Sequence, residues 1–257
     1  MNHETLNRRK TELLQGRSPR ARGKYKEQLA LNWIYQWGWS APSIVDTLAD
    51  NEGRGLSARL VKNQLLCATI TANGGVTQGV PRKILTLTRT GLSEVERHLD
   101  EADLLPYELN PHKINQDLLR HGYYTQCITD RVLRSGQIQA YYPEKAFQTQ
   151  TVAKLHDVVW LFNGQRVGIE MELTAKWGRA FDQFVWGCVA SIQSQAVHQV
   201  CLFSDSAAIV RRYQEGLHAD KRIGVWSKNS KGFWVQQGDK PIPDEIAGRI
   251  VCRHVDL

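Results

Sequence analysis

Residues 156–176 read HDVVWLFNGQRVGIEMELTAK, and the pairing inside this stretch decides the fold of the second half of the chain. Asn163-Gly164 between two alternating apolar runs predicts a two-residue hairpin turn. The turn sets a register in which Phe162 faces Gln165, Trp160 faces Val167, Val159 faces Gly168 and Asp157 faces Glu170. Directly opposed residues share a sheet face, and Glu172, two residues beyond Glu170, joins them. Spacing alone therefore gathers Asp157, Glu170 and Glu172 into one patch. Val158, Trp160, Val167, Ile169, Met171 and Leu173 form the opposite face, the predicted core.

Three carboxylates on one patch repel each other, and burying an unpaired charge is costly. Neutralising one of them is expected to relieve strain in the metal-free fold. A hard divalent cation, Mg²⁺ or Mn²⁺, would remove the penalty through oxygen ligands from Asp157, Glu170 and Glu172. Lys176 follows at the start of the next helix and would set its ammonium against the same cluster. Such a group suits metal-dependent phosphodiester chemistry. The plainer alternative is a solvated sheet face with a Glu172–Lys176 surface ion pair.

Outward from the hairpin, Phe181, Phe184, Val185, Cys188, Val189 and Ile192 form one apolar helix face. VHQVCLFS reads as a buried strand, SAAIVRRYQEGL as a helix, and RIGVWSKN and GFWVQQG as strands. Upstream, PYELNP reads as a linker, and one long helix is expected from near Pro111 to Gly136, then a short strand in QIQAYYPEKAF. The order α, β, β, β, α, β followed by further α and β predicts an α/β domain over 106–257.

The first half differs. Residues 1–27, with NRRK and RSPRARGKYK, read as a basic flexible arm suited to phosphates. From Tyr25 a helix is expected with Leu29, Trp33, Ile34 and Trp37 on one side. SAPSIVDTLAD predicts a second, capped by Ser40. LSARLVKNQLLCATI predicts a third, capped by Ser57, with Leu60, Val61, Leu65 and Leu66 inward. A glycine-rich tip between β-prone stretches and a last helix complete the order of a winged helix-turn-helix over 28–105, and ILTLTRTG resembles the wing strand of that family. Arg59, Lys62 and Asn63 on the third helix, with Arg82 and Lys83 on the wing, suit phosphate and base-edge contacts. The alternative is a helical module for protein contacts.

A formal net charge of +7 favours an acidic partner, nucleic acid foremost. No apolar run reaches the length of a membrane span, so no membrane insertion is expected. The polar N-terminus lacks a secretory signal, and five scattered cysteines without CxxC spacing read as reduced thiols of a cytoplasmic protein.

The hairpin resembles the PD-(D/E)XK nuclease superfamily: His156-Asp157 stands at Pro-Asp, and EME (170–172) at (D/E)xK, with Lys176 displaced from the usual lysine position. More narrowly, a winged helix, then LNPHKINQDLL, then D…GIEMELTAK is similar to the replication-relaxation family and MobC-type plasmid mobilisation relaxases, over most of residues 28–205. That resemblance implies a bacterial, plasmid-encoded relaxase that nicks one DNA strand at the origin of transfer for conjugation, with a conjugation coupling protein as partner. It also makes His112 a candidate functional residue. The alternatives are a DNA-binding replication or transcription regulator with a structural nuclease-like domain, and a restriction or transposon-type endonuclease cutting both strands. Water is the expected nucleophile, ahead of Tyr123, Tyr124, Tyr141 or Tyr142.

Overall fold

The computed structural model describes residues 18–49, 55–148, 153–218 and 220–256. The chain is a mixed α/β protein and divides into two compact units, Met1–Gln116 and Asp117–Leu257.

In the first unit, helix α1 spans Pro19–Trp37. The Ser18 hydroxyl accepts the Ala21 N–H, Pro19 takes the first helical position, and Gly38 ends the helix at φ 82°. The helix thus begins inside the stretch read as a flexible arm; residues 1–17 lie outside the described residues. Helices α2 (Pro42–Leu48) and α3 (Leu56–Lys62) follow. Neither serine expected to cap them does so. Ser40 instead pairs its backbone with Leu85 and accepts from Trp33 Nε1 at 3.2 Å. Ser57 lies inside α3, where its N–H and hydroxyl donate to the two oxygens of Asp46 on α2 at 2.8 and 2.9 Å.

The third helix is also shorter than its apolar spacing predicts. Gln64 turns left-handed at φ 58°, and Leu66–Ile70 becomes strand β1, antiparallel to β2 (Lys83–Leu87). Leu66 is buried as a strand residue, while Val61 and Leu65 are only partly buried. Pairing with β2 outweighs helical periodicity here, since every residue of β1 gains a ladder partner. Helix α4 (Arg89–Glu96) is capped by Thr88. Tyr107 stacks on Tyr35, donates to Gly38 O at 2.9 Å and accepts from Leu87 N–H at 2.8 Å, which holds the PYELNP stretch on this unit.

In the second unit, helix α5 is Leu119–Arg134. It starts later than expected because Pro111–Lys113 and Gln116–Leu118 are separate 3₁₀ turns, the first closed by the Asn110 side chain on the His112 N–H. Strands β3 (Ala140–Pro143), β4 (Val158–Phe162) and β5 (Gln165–Met171) lead to helix α6 (Arg179–Gln193), β6 (Gln199–Ser204) and helix α7 (Ala207–Gly216). Strands β7 (Arg222–Lys228) and β8 (Trp234–Pro241), helix α8 (Asp244–Ala247) and β9 (Ile250–His254) complete the unit. One sheet runs in the order β3-β4-β5-β6-β9, antiparallel up to β5 and parallel beyond it; β7 and β8 form a separate ribbon. Both parallel pairs are joined by helical crossovers, as parallel pairing requires.

The hairpin turn lies at Asn163 (φ 48°) and Gly164 (φ 75°), and the ladder pairs Phe162 with Gln165, Trp160 with Val167 and Val159 with Gly168. Val158, Trp160, Val167, Ile169 and Met171 are buried on one face, where Trp160 Nε1 donates to Thr129 of α5 at 3.1 Å. Leu173, past the strand end, is only half-buried. The carboxylate-bearing face is covered as well: Val159 shares a core with Phe184, Val185 and Cys188 of α6 and Tyr213 of α7. Glu170 and Glu172 therefore do not face open water; they are 5% and 4% exposed.

Candidate active site

Two buried carboxylates need cationic or hydrogen-bonded partners, and each has them. Glu170 Oε1 lies 2.7 Å from His156 Nδ1 and 2.9 Å from Lys154 Nζ. His156, itself 3% exposed, reaches Ser191 Oγ of α6 through Nε2 at 2.9 Å. Glu172 is bound by Lys176, whose own N–H donates to the Tyr213 hydroxyl at 3.3 Å. Asp157, just ahead of β4, accepts the Met171 N–H at 2.7 Å through Oδ2 and lies 3.2 Å from His121 Nε2 of α5 through the same oxygen. The Lys154 and Lys176 ammonium groups also stand over the Phe184 ring, at 5.1 and 4.8 Å.

These partners set the charge states. Burial pushes the Asp157 carboxyl up, but His121 and the Met171 N–H outweigh it and hold the group below its ordinary range. Burial dominates at Glu172 and raises it despite Lys176. Burial lowers Lys154, yet the neighbouring Glu170 wins and raises it. Glu144, whose N–H donates to Asp157 O at 3.1 Å, is raised by burial and by the Asp157 charge.

Asp157, Glu170, Glu172 and Lys176 line one open cleft of ≈ 510 Å³, together with Arg120 and His121 of α5. Arg120 adds a guanidinium held by Asp205 at 2.7 Å. The contacts above use Oδ2 of Asp157 and Oε1 of Glu170; Oδ1 and Oε2 are in none of them. Hard carboxylate oxygens at a cleft suit Mg²⁺ or Mn²⁺, for which one or two carboxylates and water suffice. Among the described residues, however, no group of three or more His, Cys, Asp or Glu is assembled to hold a metal. All three carboxylates already have basic partners, Glu172 in Lys176, Glu170 in Lys154 and His156, and Asp157 in His121, so a cation would have to be met by carboxylate oxygens outside these pairs.

The other residues singled out in the sequence lie elsewhere. Arg59 and Lys62 are exposed on α3, Asn63 caps its C-terminus, and Arg82 and Lys83 are exposed where β2 begins, all in the first unit. His112 also belongs to that unit, in the 3₁₀ turn closed by Asn110. None of Tyr123, Tyr124, Tyr141 and Tyr142 lines the cleft; Tyr124 is buried, and burial raises the Tyr141 phenol far above its ordinary range. Three cleft or near-cleft partners escaped the sequence reading: His121, Lys154 and His156. His156 stands beside Asp157 in the opening stretch, and an imidazole flanking a buried carboxylate was its signal. His121 and Lys154 sit outside the hairpin and carry no spacing that marks them.

No helix among the described residues is long and apolar enough to cross a membrane. No protein-family model matches the chain, and no curated protein matches it. A solved structure, the crystal structure of protein VC1899 from Vibrio cholerae, is similar at 13% identity with a TM-score of 0.26, over 73% of this chain and 47% of that one. The chain thus spans about half the length of that protein.

Proposed function

We propose that the second unit is a PD-(D/E)XK-like nuclease domain and that the chain is a metal-dependent DNA endonuclease. The observation that carries this reading is the convergence of Asp157, Glu170, Glu172 and Lys176 on one cleft, from strand ends flanked by α5 and α6. Asp157 and Glu170 would hold Mg²⁺ or Mn²⁺, which when bound polarises the scissile phosphate and the attacking water. Lys176 and Arg120 supply fixed positive charge along the same cleft, placed to hold a phosphate. Glu172 keeps Lys176 in position.

In its most specific form the proposal is a plasmid mobilisation relaxase that nicks one strand at an origin of transfer and works with a conjugation coupling protein. The first unit supports a DNA-reading role. Its order of three helices, a two-stranded antiparallel pair and a fourth helix, with a Ser40–Leu85 bridge, supports reading it as a winged helix-turn-helix. Arg59 and Lys62 would lie against DNA from α3, and Arg82 and Lys83 from the wing. The test is incubation of supercoiled plasmid carrying a candidate origin with protein, in Mg²⁺ and in EDTA. Conversion to open circle in Mg²⁺ alone, lost in Asp157→Asn and Glu170→Gln, supports it; linear product indicates cutting of both strands.

One observation favours a second reading. Asp157 and Glu170 already have His121, Lys154 and His156 as partners, so the cluster is self-sufficient as a buried ion network. On that reading the chain is a DNA-binding replication or transcription regulator with a structural nuclease-like domain. Plasmid left supercoiled in Mg²⁺ and in Mn²⁺, with DNA binding intact, would favour it.

A further inference from the structure

Beyond the cleft, the second unit exposes aromatic rings that no core explains. Trp177 is 66% and Phe233 67% exposed, and Trp234 beside Phe233 is also exposed. Each tryptophan is paired with a cation. The Arg212 guanidinium lies 3.1 Å from the Trp177 ring centre, and its Nε and Nη2 are fixed by the Lys176 carbonyl at 3.3 and 3.2 Å. Two residues on, Arg179 stands 5.2 Å from the Trp234 ring centre, with Lys228 at 5.4 Å. Lys176 lines the cleft and Trp177 follows it directly, so the chain leads from the cleft to Trp177 with Arg212, to Arg179 with its contact Trp234, and to Phe233 next to Trp234.

We infer that this strip binds an unpaired nucleic-acid strand, with bases stacked on Trp177 and Phe233 and phosphates met by Arg179, Arg212 and Lys228. Exposed aromatic faces interleaved with fixed cations are the requirement for single-strand binding, since every base has a face to stack and every linkage a charge. The ribbon is charged to match: between Arg222 and Pro241 it carries Arg222, Lys228, Lys231 and Lys240 against Asp239 alone, and the Asp239 carboxylate is paired with Arg222 Nε at 2.5 Å. Duplex DNA offers no base faces to such a surface. The inference deepens the nuclease reading, and rests on it only for the strip's purpose: it would present a melted strand to the cleft.

The experiment measures anisotropy of a labelled oligothymidylate and of a duplex of equal length with the full chain in EDTA, so that binding is read without cleavage. Trp177→Ala and Phe233→Ala should each weaken oligothymidylate binding by roughly tenfold, with duplex binding little changed. Trp177→Phe should restore most of the affinity, because it keeps a ring. Both positions are exposed, and unchanged thermal melting verifies the fold. Unaltered single-strand affinity in both alanine variants overturns the inference, as does equal loss for single strand and duplex. Binding to vesicles of anionic phospholipid that these variants abolish, with oligothymidylate binding untouched, overturns it too. Since the readout is independent of nicking, it stands or fails apart from the nuclease proposal.

Discussion

The imidazole of His156 lies flat against Gly168, so close that a β-carbon on that glycine would meet ring atom Cε1 at 2.7 Å. From this seat the ring spans from Glu170 on β5 to Ser191 on α6. Gly168 is thus a packing requirement: its missing side chain makes room for the group that orients Glu170.

Gly168→Ala should therefore displace His156 and destabilise the second unit by about 1–3 kcal/mol, the range for overpacking a filled interior. His156→Ala should lower stability by a similar ~1–3 kcal/mol, because it leaves buried polar atoms of Glu170 and Ser191 short of a partner. Denaturant unfolding measures both. Wild-type midpoints in the two variants would mean that the ring does not hold Glu170.

The carboxylates carry a second expectation, and its sign is the reverse of what repulsion within a metal-free triad implies. Each carboxylate faces a basic group of the protein: His121 for Asp157, Lys154 for Glu170, Lys176 for Glu172. Neutralising one strands its partner instead of relieving strain. Glu170→Gln should cost roughly 1–3 kcal/mol, since Lys154 is largely buried and loses its anion. Asp157→Asn, whose carboxylate the fold holds below its ordinary range, should also lower the melting temperature without metal. Asp157→Asn and Glu170→Gln should abolish nicking and retain DNA binding, while Glu172→Gln and Lys176→Ala should slow nicking with metal binding intact. Melting above wild type in EDTA for Asp157→Asn or Glu170→Gln would show that repulsion dominates after all.

A titration away from the cleft gives a third test. Burial pushes the Lys145 ammonium, in the 3₁₀ turn after β3, down to about 8 from 10.5. Between these values the folded protein has lost a proton that the unfolded chain still holds, so folding stability should rise with pH across this window. Below about 8 both states are protonated and the burial penalty is fully present. Lys145→Met should therefore stabilise the protein at neutral pH and remove the rise. Urea unfolding at pH 7, 8, 9 and 10 reads this directly; parallel profiles for wild type and variant would refute it.

The hairpin was legible because Asn163-Gly164 admits few turns and a period of two allows one register per turn. The broad face of α6 was legible for a similar reason: six apolar residues at helical spacing leave little choice. The α3–β1 boundary was not, because Gln64 adopts positive φ without being glycine, and LLCATI satisfies either period until β2 is placed beside it. The start of α1 was written in Ser18-Pro19, a cap and first-turn pair, but masked by the surrounding arginines. Within the cleft, the carboxylates shared one hairpin and followed from its register. Their basic partners come from α5, from the approach to β4 and, for Lys176, from the loop before α6 instead of the helix start its spacing suggested, and only tertiary packing unites them.

The last prediction concerns the first unit and separates its two surfaces. Arg59 and Lys62 are exposed on a helix of seven residues, and Arg82 and Lys83 are exposed at the foot of β2. If all four meet phosphates, each substitution to alanine should weaken DNA binding and lower the log–log salt slope by ~1. If α3 reads bases, Arg59→Ala and Lys62→Ala should in addition reduce the preference for the origin over random duplex, while Arg82→Ala and Lys83→Ala leave that preference intact. The double variants Arg59→Ala/Lys62→Ala and Arg82→Ala/Lys83→Ala, titrated on both DNAs at several salt concentrations, distinguish the cases. Equal loss of preference in both would place sequence reading in the wing as much as in the helix. Unchanged affinity and slope in both would remove this unit from the DNA interface and leave it a module for protein contacts.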